Sequence, residues 1–280
     1  MATAPITSTN LANWIPDIWS KEVISDVEKN LVLGALCDRT YEIFAREGGD
    51  KIVVPNLFEI TATATNTALD ATLYDAVQNV TNIAIDQKFH TGVSVDDYNQ
   101  IQSNPKYFEK VKTKLAYGLA KQVDINIGAL FNALSTHKGA VHSALTEDVI
   151  ISAYEALNLA DVPVNDRAWV LDAESETDLL KLDYFVRMDY VPGSVVTNGF
   201  SGRKILGAPV YFTTNLDIID VNAHAAIYMH REAFGLIIQL PIKMENARWW
   251  QRFSDVLTAN ILFGVAKMRD SFAVCINTRS

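Results

Sequence analysis

The chain has 280 residues, a formal net charge of −9 and 49% hydrophobic residues. An acidic balance argues against a dedicated nucleic-acid binder, whose footprint is basic, while leaving room for a locally basic face. Its two cysteines, Cys37 and Cys275, stand far apart in no metal or redox spacing and read as reduced thiols of a cytosolic product.

In chain order, residues 1–13 are rich in Thr, Ala, Ser and Asn and read as an extended arm. They have neither the basic start nor the apolar run of a secretion signal. Trp14 to Trp19, with Pro16 between them, forms an aromatic anchor. Lys21 to Asp38 carries Val23, Val27, Leu31 and Leu36 at roughly helical spacing. Gly48-Gly49-Asp50 marks a turn, and a long two-armed excursion follows from Asp50 to Asp97. Branched residues alternate on the outgoing arm (Lys51 to Pro55) and on the return (Val80 to Asp86), so the arms read as paired strands. The middle, Thr61 to Ala71, is too small and polar to build a core. An exposed ribbon of this kind needs another surface to lie on, which points to assembly.

Ser103-Asn104-Pro105 is a helix start. Phe108, Val111, Leu115, Leu119, Val123, Ile127, Leu130 and Leu134 then form one apolar stripe. The spacing predicts a helix over 105–135, about 45 Å long at 1.5 Å per residue. Within it, Gly118 and Gly128 are expected to mark close contacts or a bend. Thr146 opens a second predicted helix through Leu157, and Ala168 to Leu171 reads as a short buried strand. Ser175 and Asp178 have the spacing of a capping box for a helix over 176–182. Val195 to Gly207 is punctuated by glycine, and Pro209 to Thr213 reads as a strand. The last third is strand-rich, over 225–229, 235–240, 247–253 and 255–276. The apolar run Leu257 to Ala266 is too short to cross a bilayer, so no membrane association is expected. The fold class is α+β with one dominant helix, without regular βαβ alternation.

Chemistry-bearing patterns are sparse. Asn198 to Lys204 is glycine-rich but lacks the Gly-Lys-Ser/Thr ending of a phosphate loop, and Ser201 lacks a nucleophile-elbow frame. The five histidines show no i, i+4 ligand pair and read as surface or loop residues. The acids Glu174, Glu176 and Asp178 suit a helix N-terminus. Asp124, in the long helix, reads as a partner in a structural salt bridge. No catalytic residue, cofactor site or metal site is assigned, and no enzymatic activity is expected. Lys106, Lys110 and Lys114, with Lys121 roughly in line, form a strip that is either a solvated face or a contact to packaged nucleic acid. The alternating run Arg248-Trp249-Trp250-Gln251-Arg252 is expected to pack in the core or a subunit interface.

Several stretches resemble the wording of one family. They are Trp14-Ile15-Pro16-Asp17-Ile18-Trp19, Gly49 through Pro55, Ile85-Asp86-Gln87-Lys88 leading to Val95-Asp96-Asp97, Leu119 through Asp124, Asn198-Gly199 through Tyr211, and Phe263 through Arg269. With the order arm, helix, ribbon, long helix, mixed region and strand-rich end, the chain resembles the major capsid proteins of tailed double-stranded DNA bacteriophages, the Hong Kong 97-like fold. The resemblance spans nearly the whole chain. It implies an N-terminal arm and first helix over 1–47 and an extended loop over 48–100. A peripheral domain would take 101–142 and about 236–261, with a spine helix at 105–135. An axial domain would take about 143–235 and 262–280. Trp14, Trp19, Thr65, Leu69 and Leu73 would then touch neighbouring subunits.

The resemblance further implies self-assembly into the pentamers and hexamers of an icosahedral head, assembled in the host bacterial cytoplasm and enclosing double-stranded DNA in the virion. Some relatives weld their shells through a lysine on the extended loop. The tip here, Thr63 to Leu73, has none, so no such cross-link is expected. The arm is also too short for a cleaved scaffolding segment, so separate scaffolding and portal proteins are the expected partners. An encapsulin-type compartment shell shares the fold and is the alternative; a tail or fibre protein and a hydrolase of mixed fold are more distant ones.

Overall fold

The computed structural model describes residues 32–46, 48–56, 79–97, 106–182, 204–216, 218–220 and 223–279. Two short helices come first, α1 (Leu33–Leu36) and α2 (Glu42–Ala45). The predicted helix over 21–38 is described only in this last part. Next are β1 (Lys51–Asn56) and β2 (Asn79–Ala84), antiparallel in the register Lys51↔Ala84 through Asn56↔Asn79. Both arms are therefore strands, paired as their alternation predicts. The return arm does not end there, however. After Ile85-Asp86 the chain enters β3 (Gln87–Asp96), which leaves the ribbon for a different sheet.

The dominant helix α3 spans Lys106–Gly128, about 35 Å at 1.5 Å per residue and shorter than expected. The predicted run to residue 135 stops because hydrogen bonding tightens after Gly128. Ala129 N–H still reaches the Ile125 carbonyl four residues back, but Leu130 N–H reaches only Ile127, three back. A 3₁₀ turn (Phe131–Ala133) carries the apolar stripe onward, with Phe131 and Leu134 buried. Gly118 marks no close contact, since a side chain there would meet nothing within 4 Å.

Beyond it lie β4 (His137–Lys138), α4 (Glu147–Leu159), β5 (Arg167–Leu171) and α5 (Ala173–Leu179). The α5 start departs from the predicted capping box. Asp172 is the cap, accepting from Glu174 N–H, and Ser175 lies buried inside the helix. Strands β6 (Lys204–Ile205), β7 (Ala208–Phe212), β8 (Ile218–Asp220), β9 (Ala223–His230), β10 (Phe234–Trp249), β11 (Ser254–Lys267) and β12 (Ala273–Asn277) complete the order. The segment expected at 235–240 and the start of the one expected at 247–253 fuse into β10, which carries irregularities between Ile238 and Lys243; residues 250–252 form a 3₁₀ turn instead. The run expected over 255–276 divides into β11 and β12.

One sheet has the order β4-β12-β9-β5-β7-β6, with β8 on β9. Its central strands are apolar on both faces, and period-2 alternation deals the side chains to two cores. Val170, Ala225, Ile227, Met229 and Cys275 face the first core; Trp169, Leu171, Ala226, Tyr228 and Val274 face the second, under α4. Trp169 stacks on Tyr228 at 3.9 Å between ring centroids and donates to the Ile205 carbonyl at 3.2 Å. The other sheet is β10-β11-β3. Its inward side chains, among them Met244, Leu257, Ile261 and Phe263, share the first core with Leu115, Leu119, Val123 and Ile127 of α3. The stripe on α3 thus fills the space between the two sheets.

Candidate assembly surfaces

The root of the β1–β2 ribbon is built into the body. Val54, Ile83 and Ile85 are buried with Ala45 and Ile237 in a third small core. Ile85 N–H donates to the Asp50 carbonyl at 2.8 Å. Gln239 Nε2 reaches the carbonyls of Ala45 (3.2 Å) and Gly49 (2.9 Å), tying the residues before β1 to β10. Gly264 lets β11 pass directly beneath Ala84-Ile85, because a Cβ there would press on their backbone. Above this root the ribbon is less covered. Val53 is 49% and Val80 53% exposed, two open apolar positions on an outward face that also carries Lys51 and Asn82. Beside the root lies a cleft of about 590 Å³ lined by Tyr41, Val54, Met268 and the Glu232–Arg269 ion pair.

The β10–β11 hairpin ends in a second open surface. Of the two places expected for the run Arg248 to Arg252, the core is not the one, because β10 stops at Trp249 and a 3₁₀ turn over Trp250–Arg252 takes the chain round. Trp250 is 72% and Phe253 63% exposed. Arg248 is forked onto both carboxylate oxygens of Asp97 and also meets Asp255 at 3.1 Å; its hydrogen bonds hold the Asp97 carboxyl below the usual carboxylate range. Arg252 lies over the Trp249 ring at 4.4 Å. Arg248 therefore ties the hairpin end to the end of β3, Arg252 covers the hairpin's own Trp249, and Trp250 and Phe253 stay exposed.

The outer face of α3 brings Lys114, Tyr117, Gly118, Lys121 and Ile125 together, all exposed. Lys106 and Lys110 belong to the same helix, but their side chains lie outside the described residues. Trp14, Trp19, Thr65, Leu69 and Leu73 lie outside them altogether, as does the glycine-rich stretch up to Arg203. The end of that stretch is a tight turn, with Leu206 (φ 47°) and Gly207 (φ 84°) joining β6 to β7.

Among the described residues Asp124 makes no salt bridge. It is buried at 1% exposure and faces the backbone N–H groups of Val32, Leu33 and Gly34 and the Asn215 side chain. Burial pushes its carboxyl up to about 6 against these hydrogen bonds, and among the described residues Oδ1 has no partner of good geometry. The Cys37 thiol nearby is pushed up to about 12, first by burial and then by the charge of Asp124.

Asp178 also has a role that helix-start logic missed. Burial alone would raise its carboxyl, but hydrogen bonds from Arg279, Lys181 and the Leu145 N–H outweigh this and hold it low. Arg279 grips both oxygens, one through Nε at 3.0 Å. The histidines are not all at the surface either: His230 is buried in β9 and accepts from Glu232 N–H at 3.3 Å. Among the described residues no three His, Cys, Asp or Glu side chains gather where they could hold a metal ion.

No protein-family model matches the chain, and no curated protein does. Solved structures do. A structure of Mycobacterium phage Che8 aligns with a TM-score of 0.75 at 22% identity, over 88% of this chain and 90% of that one. The capsid structure of the Cyanophage P-SCSP1u aligns at 0.69 and 14% identity, over 83% and 84%. The asymmetric unit of the bacteriophage PhiM1 mature capsid aligns at 0.67 and 12% identity, over 84% and 83%. The ribbon, the long helix and the two sheets described above therefore form a phage-capsid fold, the α+β Hong Kong 97-like architecture that the resemblance implied.

Proposed function

We propose that this chain is a major capsid protein whose copies overlap to form a closed icosahedral shell around double-stranded DNA. The observation that carries this reading is the ribbon: two paired strands rooted in the body, with Val53 and Val80 open on the outward side. A two-stranded ribbon is marginal alone and gains stability by lying on another surface. The exposed aromatic end of β10–β11 supports the same reading, since Trp and Arg are favoured at interfaces. So does the fold shared with phage capsid chains. Unlike surfaces of identical copies then meet by rotation and close into pentamers and hexamers.

In this reading the extended loop is 48–100. The peripheral part is 101–142 and about 236–261, and the axial part about 143–235 and 262–280. That division cuts within β11, which runs unbroken through residue 262. Trp14, Trp19, Thr65, Leu69 and Leu73 contact neighbours, and the strip Lys106, Lys110, Lys114 and Lys121 faces the packaged DNA. Separate scaffolding and portal proteins take part, no lysine weld joins the subunits, and assembly takes place in the host cytoplasm.

Electron microscopy of the purified protein, expressed with and without a candidate scaffolding protein, tests this. Closed shells that hold nucleic acid and run as a single monomer band under denaturing electrophoresis are expected. A folded monomer at high concentration overturns the reading. Shells filled with a protein cargo instead of nucleic acid replace it with the compartment alternative.

A further inference from the structure

Helix α3 buries its apolar stripe and leaves one face uncovered. At about 100° per residue, Lys114, Gly118, Lys121 and Ile125 fall within about 60° of one another, with Tyr117 beside them. All five are exposed. The line they form runs for about 17 Å, or three turns. Both of its flanks are occupied. On one side Asp124 holds the amides that open α1, those of Val32, Leu33 and Gly34. On the other, Gln122 donates to Asn126 at 3.0 Å, and Asn126 donates to Gln87 of β3 at 3.0 Å. Between these borders the line stays open.

Gly118 is the informative residue. Glycine is a poor helix former, and the backbone here is ordinary helix that does not call for it. Its own subunit does not need the space either, because a Cβ would meet nothing within 4 Å. The missing side chain leaves a notch that faces outward. Around the notch stand two lysines and two large apolar side chains, Tyr117 and Ile125. The one acid among the described side chains of α3, Asp124, is buried. A chain of net charge −9 thus presents here a face of the opposite sign.

We propose that this face docks an acidic amphipathic helix of a second protein, its apolar stripe seated at Gly118 and its carboxylates reaching Lys114 and Lys121. Recognition of a helix by its apolar face has this form. A glycine at the crossing lets two axes approach toward the short end of the usual range of about 8–10 Å. The same face of a second copy is repelled, because it repeats the lysines. Duplex DNA suits the lysines but has no use for the notch or the apolar side chains, since phosphates are held by charge and hydrogen bonds. The lysines can turn to packaged DNA once the helix has left. The proposal rests on the shell reading only in giving this helix to the scaffolding partner; the docking itself is measured on dissociated subunits.

The probe is a labelled synthetic helix of about four turns, with alanine and leucine along one stripe and glutamate on either side. Its fluorescence anisotropy is followed on titration with the dissociated full chain. Binding with a Kd on the order of 10 μM is expected, weakening as salt is raised. K114E/K121E should weaken it about tenfold, and a probe with lysine in place of glutamate should prefer that variant. Gly118→Leu fills the notch and should also weaken binding about tenfold. Gly118→Ala should weaken it about threefold while raising the unfolding midpoint, a divergence that a purely structural glycine would not give. Absence of probe binding overturns the proposal. So does equal binding by unstructured polyglutamate, or probe binding that neither Gly118 variant changes, because charge alone then explains the face. Self-association that K114E/K121E abolishes, in place of probe binding, marks a contact between copies and overturns it too. Failure of the chain to form shells ends the shell reading and leaves this binding standing.

Discussion

Two glycines of similar appearance in the sequence should respond in opposite ways to alanine. At Gly264 the added Cβ falls well inside 3.0 Å of the Ala84 carbonyl oxygen and 3.1 Å from Ala84 C and Ile85 Cα. These are backbone atoms, so no rotamer change relieves the clash. Restoring ordinary contact of about 3.5 Å requires the strand and the ribbon root to part by roughly 1 Å. Overpacking of this kind costs about 1–3 kcal/mol, and Gly264→Ala should lower the unfolding midpoint by several degrees. At Gly118 the Cβ meets nothing within 4 Å, in the interior of α3. Gly118→Ala should therefore stabilise by up to about 1 kcal/mol through helix propensity. Denaturant unfolding of dissociated subunits reads both effects on one scale. Gly264→Ala should also reduce the yield of closed shells, because it moves the base from which the ribbon is aimed. An unchanged midpoint for Gly264→Ala, or a larger loss for Gly118→Ala, would refute the packing argument.

Asp124 makes stability pH-dependent. Its folded value of about 6 lies above the ordinary carboxylate value, so the folded state binds the proton more tightly. Its contribution is complete below about pH 4 and is lost as pH rises through 6. The swing is up to about 3 kcal/mol, and unfolding curves at pH 4.5 and 7.5 should show it shrinking in Asp124→Asn; an identical pH slope in both proteins would contradict this origin. Arg279→Ala leaves the buried Asp178 with the exposed Lys181 and one backbone donor. A loss of about 2 kcal/mol is expected, shrinking in acid as Asp178 is protonated, and no change in midpoint would deny the clamp. Cys37 and Cys275 should resist alkylation at pH 8 until the chain unfolds, because both are buried and the Cys37 thiol is pushed up to about 12. Mass spectrometry after a timed maleimide pulse checks this.

Much of the architecture was readable because local periodicity and tertiary environment agree. The α3 stripe filled the space between two sheets as its spacing required. The two arms of the ribbon paired, and Ala168 to Leu171 proved buried. The failures share a different cause, namely partners distant in sequence. Ser175 and Asp172 are both capping types, and local pattern favoured Ser175. Asp178, the other half of that predicted box, is instead occupied by Arg279, 101 residues away. Asp124 looked like half of an ion pair because the backbone amides that address it come from another segment, which no side-chain pattern reveals. The run Arg248 to Arg252 suited a core or a subunit interface by composition, and only the position of the hairpin end removes the core, because Trp250 faces outward there.

Gln239 has a mechanical consequence. One side-chain amide holds two carbonyls, four residues apart, immediately before the chain turns into β1. The outgoing strand therefore cannot pivot about Gly48-Gly49 without first breaking both bonds. Its bearing is dictated by β10, on which the glutamine stands. Any bending of the long sheet at Gln239 is therefore handed directly to the first residues of that strand.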